Sequence, residues 1–289
     1  MKNAVSYVFS FIVSILLIFL TLVSLICLTA RSYANPENRI KQIVKEQNIS
    51  HTVYTELEKY YSERYNTTGI PADIYMNAID EEYLNNLIMN KIGEGFAALN
   101  LERYEPLDPR NEKLDTVLSN FYSEYADSIG AEKDAKYDEK LSDAKSNAYK
   151  IIVEYCDIYK INAMNKHGIL RKLSPVYTKL PMITGISLIV VAVLLLILFI
   201  INLKSKSVFL YWTGISAIIS GIIGAVPCIW LKATDFFSSF TIKQAQIYTA
   251  YTSTMNDITQ NFMTASIITA SIGAVVVIIY AVLGKILKD

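Results

Sequence analysis

Four stretches of this chain carry no charged residue: 3–30, 180–203, 207–231 and 258–284, of 28, 24, 25 and 27 residues. A helix rises 1.5 Å per residue, so roughly 20 apolar residues cross a hydrocarbon core about 30 Å thick. All four stretches exceed that length. Nearly all the charges they exclude are gathered between the first and the second. Residues 31–180 hold 20 of the 27 Lys and Arg and 24 of the 27 Asp and Glu. This segregation predicts an all-α integral membrane protein. Four transmembrane helices are expected, with a large α-helical bundle domain inserted between helices 1 and 2.

The expected divisions follow from the same pattern. Residues 1–30 form a signal-anchor-like first span, 31–180 a soluble helical domain, and 181–203 and 207–231 the second and third spans. Residues 232–257 form an external interfacial or amphipathic connection, either a short interfacial helix or an extension of the last span, and 258–286 form the fourth span. The soluble block carries 20 − 24 = −4 charges, too mild a field to recruit nucleic acid or an anionic membrane surface. Of three cysteines, only Cys156 lies in that block, so no disulfide can form within it. Abundant Lys, Asn, Ile and Tyr without disulfides fits a Gram-positive or anaerobic bacterium better than an animal ectodomain.

Met1-Lys2-Asn3 followed by a long apolar run reads as a retained signal anchor, because the run exceeds the 7–15 residues of a cleaved signal. Such an anchor keeps the amino terminus inside and sends 31–180 out. The short basic junction around Lys204 and Lys206, and the tail with Lys285 and Lys288, then lie on the cytoplasmic side. Basic residues also flank the block itself, at Arg31, Arg39, Lys41 and Lys45 and at Lys166, Arg171, Lys172 and Lys179. Long domains translocate largely regardless of charge, so the anchor decides the orientation. The expected location is the plasma membrane, with both termini cytoplasmic.

Within the block the apolar period is that of helices. Asn35-Pro36-Glu37 is a start signal, and Ile40, Ile43, Val44, Val53, Leu57 and Tyr61 form the stripe behind it, with Ser50 as a second cap. Asn66–Pro71 reads as a loop. Asp80 caps a helix striped by Leu84, Leu87, Ile88, Ile92 and Phe96. Leu114, Leu118, Phe121, Tyr125 and Ile129 stripe the next helix, which Gly130 ends. Tyr137, Leu141, Ala144, Ala148, Ile152, Tyr155 and Tyr159 mark one long helix over about 131–166. Fifteen of the twenty tyrosines fall in this block. Helical spacing assigns them to half-buried bundle positions, with an aromatic ligand groove as the competing reading.

The spans carry small residues at helical spacing. Ser216-Ser220-Gly224 and Ala217-Gly221-Ala225 form two rows on the third, and Ala265-Thr269-Gly273 one row on the fourth. Small residues four apart let helix backbones approach closely in lipid. Ser216, Ala217, Ser220, Gly221, Gly224, Ala265, Thr269 and Gly273 are therefore the candidate helix-packing residues. Phe236, Phe237 and Phe240 near Trp230 suit the headgroup level.

Catalytic groupings are missing. Gly185-Ile186-Ser187 and Gly214-Ile215-Ser216 resemble the nucleophile motif of intramembrane serine proteases. The only histidines, His51 and His167, lie outside every span, so no base can reach those serines. Asp80-Glu81-Glu82 points apart around a helix start and does not converge on a metal. No metal, cofactor or catalytic residue is expected. The expected partners are the lipid bilayer and another membrane protein or a second copy, met through the small-residue faces. The function anticipated is non-enzymatic sensing or partner binding. The alternative is a subunit of a transport complex with the layout of cell-division ABC permeases.

Overall fold

The computed structural model describes residues 2–34, 39–203 and 206–286, with side chains over 6–34, 39–203 and 207–283. Every regular element among them is helical. In chain order they are α1 (Lys2–Tyr33), α2 (Arg39–Glu46), α3 (Ile49–Thr68), α4 (Ala72–Met76), α5 (Glu81–Asn100), α6 (Glu112–Ser128) and α7 (Ala135–Cys156). Then follow α8 (Ile161–Lys166), α9 (Ile169–Ile201), α10 (Lys206–Ala233), a 3-10 turn at Phe236–Ser239, and α11 (Ala245–Ile286). Four of these, α1, α9, α10 and α11, are long and apolar enough to cross a membrane.

The chain divides into two compact units. One comprises Met1–Asn35, Val176–Phe240 and Thr254–Asp289, and the other Pro36–Pro175 and Thr241–Ser253. The helices α9 and α11 each contribute residues to both. The fourth long helix starts at Ala245, so residues 245–257 belong to the same helix as the fourth charge-free stretch.

In the second unit α3 packs on α4, α5 and α7, α5 on α7 and α8, and α6 on α4 and α7. The core is drawn from the stripes read above. Val53, Leu57, Leu84, Ile88, Leu114, Leu118 and Ile152 are all completely buried. Asp80 caps α5 as expected, its carboxylate accepting from the Tyr83 N–H at 2.8 Å. Gly130 takes φ +64° just past α6, the left-handed turn that glycine supplies without a Cβ clash. The start signal at Asn35-Pro36-Glu37 lies outside the described residues.

Three local expectations are corrected. The helix expected over 131–166 is two, because the Asp157 carboxylate accepts from the N–H groups of Ile161 (2.6 Å) and Asn162 (3.0 Å) and starts α8 afresh. A side chain that caps a new helix competes with continuing the old one, and apolar spacing is blind to that competition. The helix α3 begins behind Asn48, at φ 46°, rather than behind Ser50. It also runs through Asn66 to Thr68 before Gly69 ends it, donating its N–H to the Tyr65 carbonyl.

In the first unit α1 packs along α10. Val13 and Leu17 of α1, Leu194 and Leu198 of α9 and Trp212 of α10 form its buried cluster. Outside that cluster the long helices expose their large apolar side chains, such as Phe19, Ile189, Val226 and Ile278. An uncovered apolar surface of this extent is stable only against lipid or another protein.

Candidate functional site

The second unit holds an open cleft of about 570 Å³ between the end of α3, the second half of α6 and the first turns of α7. Its walls follow from how the three helices end. Thr68, Gly69 and Ile70 come from the terminus of α3. Phe121, Tyr122, Tyr125, Ala126 and Ile129 come from α6, and Lys136, Tyr137 and Lys140 from α7. Phe121 and Tyr125 sit one turn apart with nearly parallel rings (centroids 6.4 Å, planes 12°). Tyr122 meets Tyr137 edge to face at 6.5 Å. Glu132 and Asp134 line the turn between the helices. The Asp134 carboxylate is committed to capping α7, accepting from the Tyr137 N–H at 3.0 Å.

The far end of the same helix pair is closed. The Asn111 side chain accepts from the N–H groups of Lys113 and Leu114, capping α6, and donates to the Ala78 carbonyl. The Tyr149 hydroxyl of α7 accepts from the Asn111 N–H at 3.1 Å and stands 2.9 Å from Asp115 Oδ1. Burial pushes the Tyr149 hydroxyl pKa up from its ordinary value, the largest of several influences on it.

The tyrosines thus divide. Tyr61 and Tyr75 are buried and stacked (3.9 Å, 8°), with the Tyr61 hydroxyl facing the Ala148 carbonyl, and desolvation drives both phenol pKa values upward. These two are packing residues. Tyr122, Tyr125 and Tyr137 instead line the cleft.

The candidate helix-packing residues lie in the first unit, those of α10 on two of its faces and the rest on α11. Ser216 is buried toward α1, its hydroxyl donating to the Ser14 carbonyl at 3.3 Å. Ser220 is fully buried and bonds back to the Ala217 carbonyl. The other face meets α11. A Cβ added to Gly221 would stand 2.5 Å from the Ser266 carbonyl oxygen and 2.6 Å from the Ala270 nitrogen. One added to Gly224 would collide with the Ser266 hydroxyl. A Cβ added to Gly273 would meet the Gly214 carbonyl oxygen at 2.6 Å and the Ala217 methyl at 2.9 Å.

The row that α11 presents is therefore Ser266, Ala270 and Gly273. Ala265 lies beside that row, and the Thr269 hydroxyl turns back to the Ala265 carbonyl. Gly214, Ser266 and Ala270 were not among the expected residues. The repeat of small residues at 266 and 270 was visible, but 265 and 269 offered the same spacing.

Polar groups tie the ends of α1 to its neighbours. The Ser6 hydroxyl donates to the Ile201 carbonyl at 3.3 Å, and the Asn202 amide donates to the Ser10 hydroxyl at 3.0 Å. At the other end the Tyr33 hydroxyl donates to Asp257 at 2.6 Å and accepts from the Asn261 amide. The Tyr177 hydroxyl donates to the Ala34 carbonyl. Serines in the protease-like motifs are engaged with backbone: Ser187 donates to the Thr184 carbonyl, Ser216 to that of Ser14. Among the described residues no three His, Cys, Asp or Glu side chains converge as metal ligands. Asp80 caps α5, while Glu81 pairs with His51 Nδ1 at 2.8 Å. No family model, curated protein or solved structure matches the chain, so its functional reading rests on the cleft and the helix seam.

Proposed function

We propose that the chain is a non-enzymatic, multi-pass protein of a bacterial plasma membrane. In this reading both termini are cytoplasmic, and residues 31–180 stand outside the cell as an inserted helical domain for sensing or partner binding. The observation that carries it is the open aromatic cleft, formed at one end of a helix pair whose other end is closed. Two further features support it. The long helices expose aliphatic surface suited to lipid, whereas the large apolar side chains of α3 and α5 are mostly buried within their unit. The small-residue rows of α10 and α11 meet each other within the chain. A second copy or another membrane protein would then dock on the exposed faces that remain, and pass any signal onward through them.

The test is external proteolysis of intact cells expressing the full chain. The exposed segment 102–110 contains Arg103 and Arg110 and has no regular structure, so trypsin added outside should cut there. Protection of that segment until the cells are permeabilised would place the unit inside and end this reading. Stoichiometric co-purification of an ATP-binding subunit would replace sensing with a transport complex.

A further inference from the structure

The apolar seam between α6 and α7 closes at one end and stays open at the other. Leu114, Leu118, Ala148 and Ile152 are buried, yet the α6 stripe continues through Phe121, Tyr125 and Ile129 into the cleft, where Tyr125 is 58% and Ile129 61% exposed. A cleft of about 570 Å³ falls within the 300–1,000 Å³ range typical of small-molecule sites. Its lining carries charges of both signs, Lys136 and Lys140 beside Glu132 and Asp134. Lys136 and Lys140 lie four apart, on one face of the first turns of α7. The helix start beside them carries partial positive charge, which the capping Asp134 carboxylate meets. Glu132 stands on the turn that leads into α7, and the carbonyl ends of α3 and α6, which carry partial negative charge, complete the rim. Among the described residues neither lysine nor Glu132 has an ion-pair partner, whereas Lys133, just outside the cleft, is paired with Asp127.

The geometry points to a zwitterion with a large apolar side chain as the ligand: a free aromatic α-amino acid. Its ring stacks against Phe121 and Tyr125 and meets the edges of Tyr122 and Tyr137. Its carboxylate reaches Lys136 and Lys140, and its ammonium faces Glu132 and the ends of α3 and α6. This assignment rests on the reading of the second unit as a binding domain, and it names what that domain binds.

The test is isothermal titration of the full-length protein in detergent micelles with L-phenylalanine. Saturable binding is expected. It should weaken about tenfold or more with 3-phenylpropanoate, which lacks the ammonium, and with phenethylamine, which lacks the carboxylate. Glycine should not saturate. K136Q/K140Q should lower the affinity for phenylalanine about tenfold and leave phenethylamine unchanged, while Y125A should weaken both. These side chains are exposed or rim the cleft, and circular dichroism is used to check that each variant is folded.

The absence of saturation by about 10 mM phenylalanine, binding indifferent to these variants, or saturation by a neutral oligosaccharide such as chitotriose in its place would overturn the assignment. The proteolysis experiment above does not depend on ligand. A null titration with external cleavage intact removes only the ligand class, and binding without external cleavage removes only the placement.

Discussion

Tyr149 shows how much a single side chain settles in this fold. Its hydroxyl accepts from the Asn111 N–H and faces Asp115, so it locks the base of α7 to the cap of α6. Tyr149→Phe removes that lock while keeping the ring. The variant should lose about 1–2 kcal/mol of stability, read as an earlier midpoint of chemical unfolding in detergent. Cys156 is completely buried, and burial pushes its thiol pKa upward, as it does the hydroxyls of Tyr61, Tyr75 and Tyr83.

The folded state therefore holds these protons to higher pH than the unfolded chain, whose thiols titrate near about 8.5 and phenols near about 10. Their contribution to stability is complete at neutral pH and falls as pH rises past those values. The unfolding midpoint should stay level from about pH 7 to 8 and decline progressively above about pH 9. A decline that began below neutrality would contradict this assignment. The sequence indicated that Tyr61 and Tyr149 stand on or beside helical stripes. It gave no sign that one stacks in the core and the other caps a neighbour, because spacing records a face and not a partner.

At the scale of elements, the close approach of α10 to α11 depends on glycine where no Cβ fits. Gly221→Ala places a methyl against the Ser266 carbonyl and the Ala270 nitrogen, both backbone atoms that cannot turn aside. It should cost about 1–3 kcal/mol and lower the melting temperature in detergent. Gly185→Ala has open space around it and should leave melting unchanged or slightly raised. Equal effects of the two substitutions would show that the contact does not hold the bundle. The α7 start provides a second check. Asp134→Ala removes the cap at the edge of the cleft and should cost about 1 kcal/mol.

Helix identity was largely legible from apolar period, as with the Leu84–Phe96 stripe of α5. Two features were not. Asp157 splits the long pattern by capping α8, an event of one carboxylate against two N–H groups. The small row on α11 is offset by one residue, because Ala265-Thr269 and Ser266-Ala270 satisfy the same spacing and only the facing helix chooses between them. The cleft was hidden for a related reason. Its wall continues the α6 stripe without any change of composition, so the sequence could not show where the buried part of that stripe ends.

For the whole molecule, the charge-free stretches remain the organising fact. They correspond to four helices long and apolar enough to cross a membrane, while the charged block accounts for most of a separate compact unit. The side of the membrane on which that unit stands is the central claim, and single cysteines read it directly. The native cysteines, Cys27, Cys156 and Cys228, are buried and give little background, whereas Ser142 is exposed on α7. S142C and S205C variants of the full chain are treated in intact cells with a membrane-impermeant maleimide. Labelling of S142C in intact cells, with S205C labelled only after permeabilisation, is the expected result; labelling of S205C but not S142C in intact cells would contradict it.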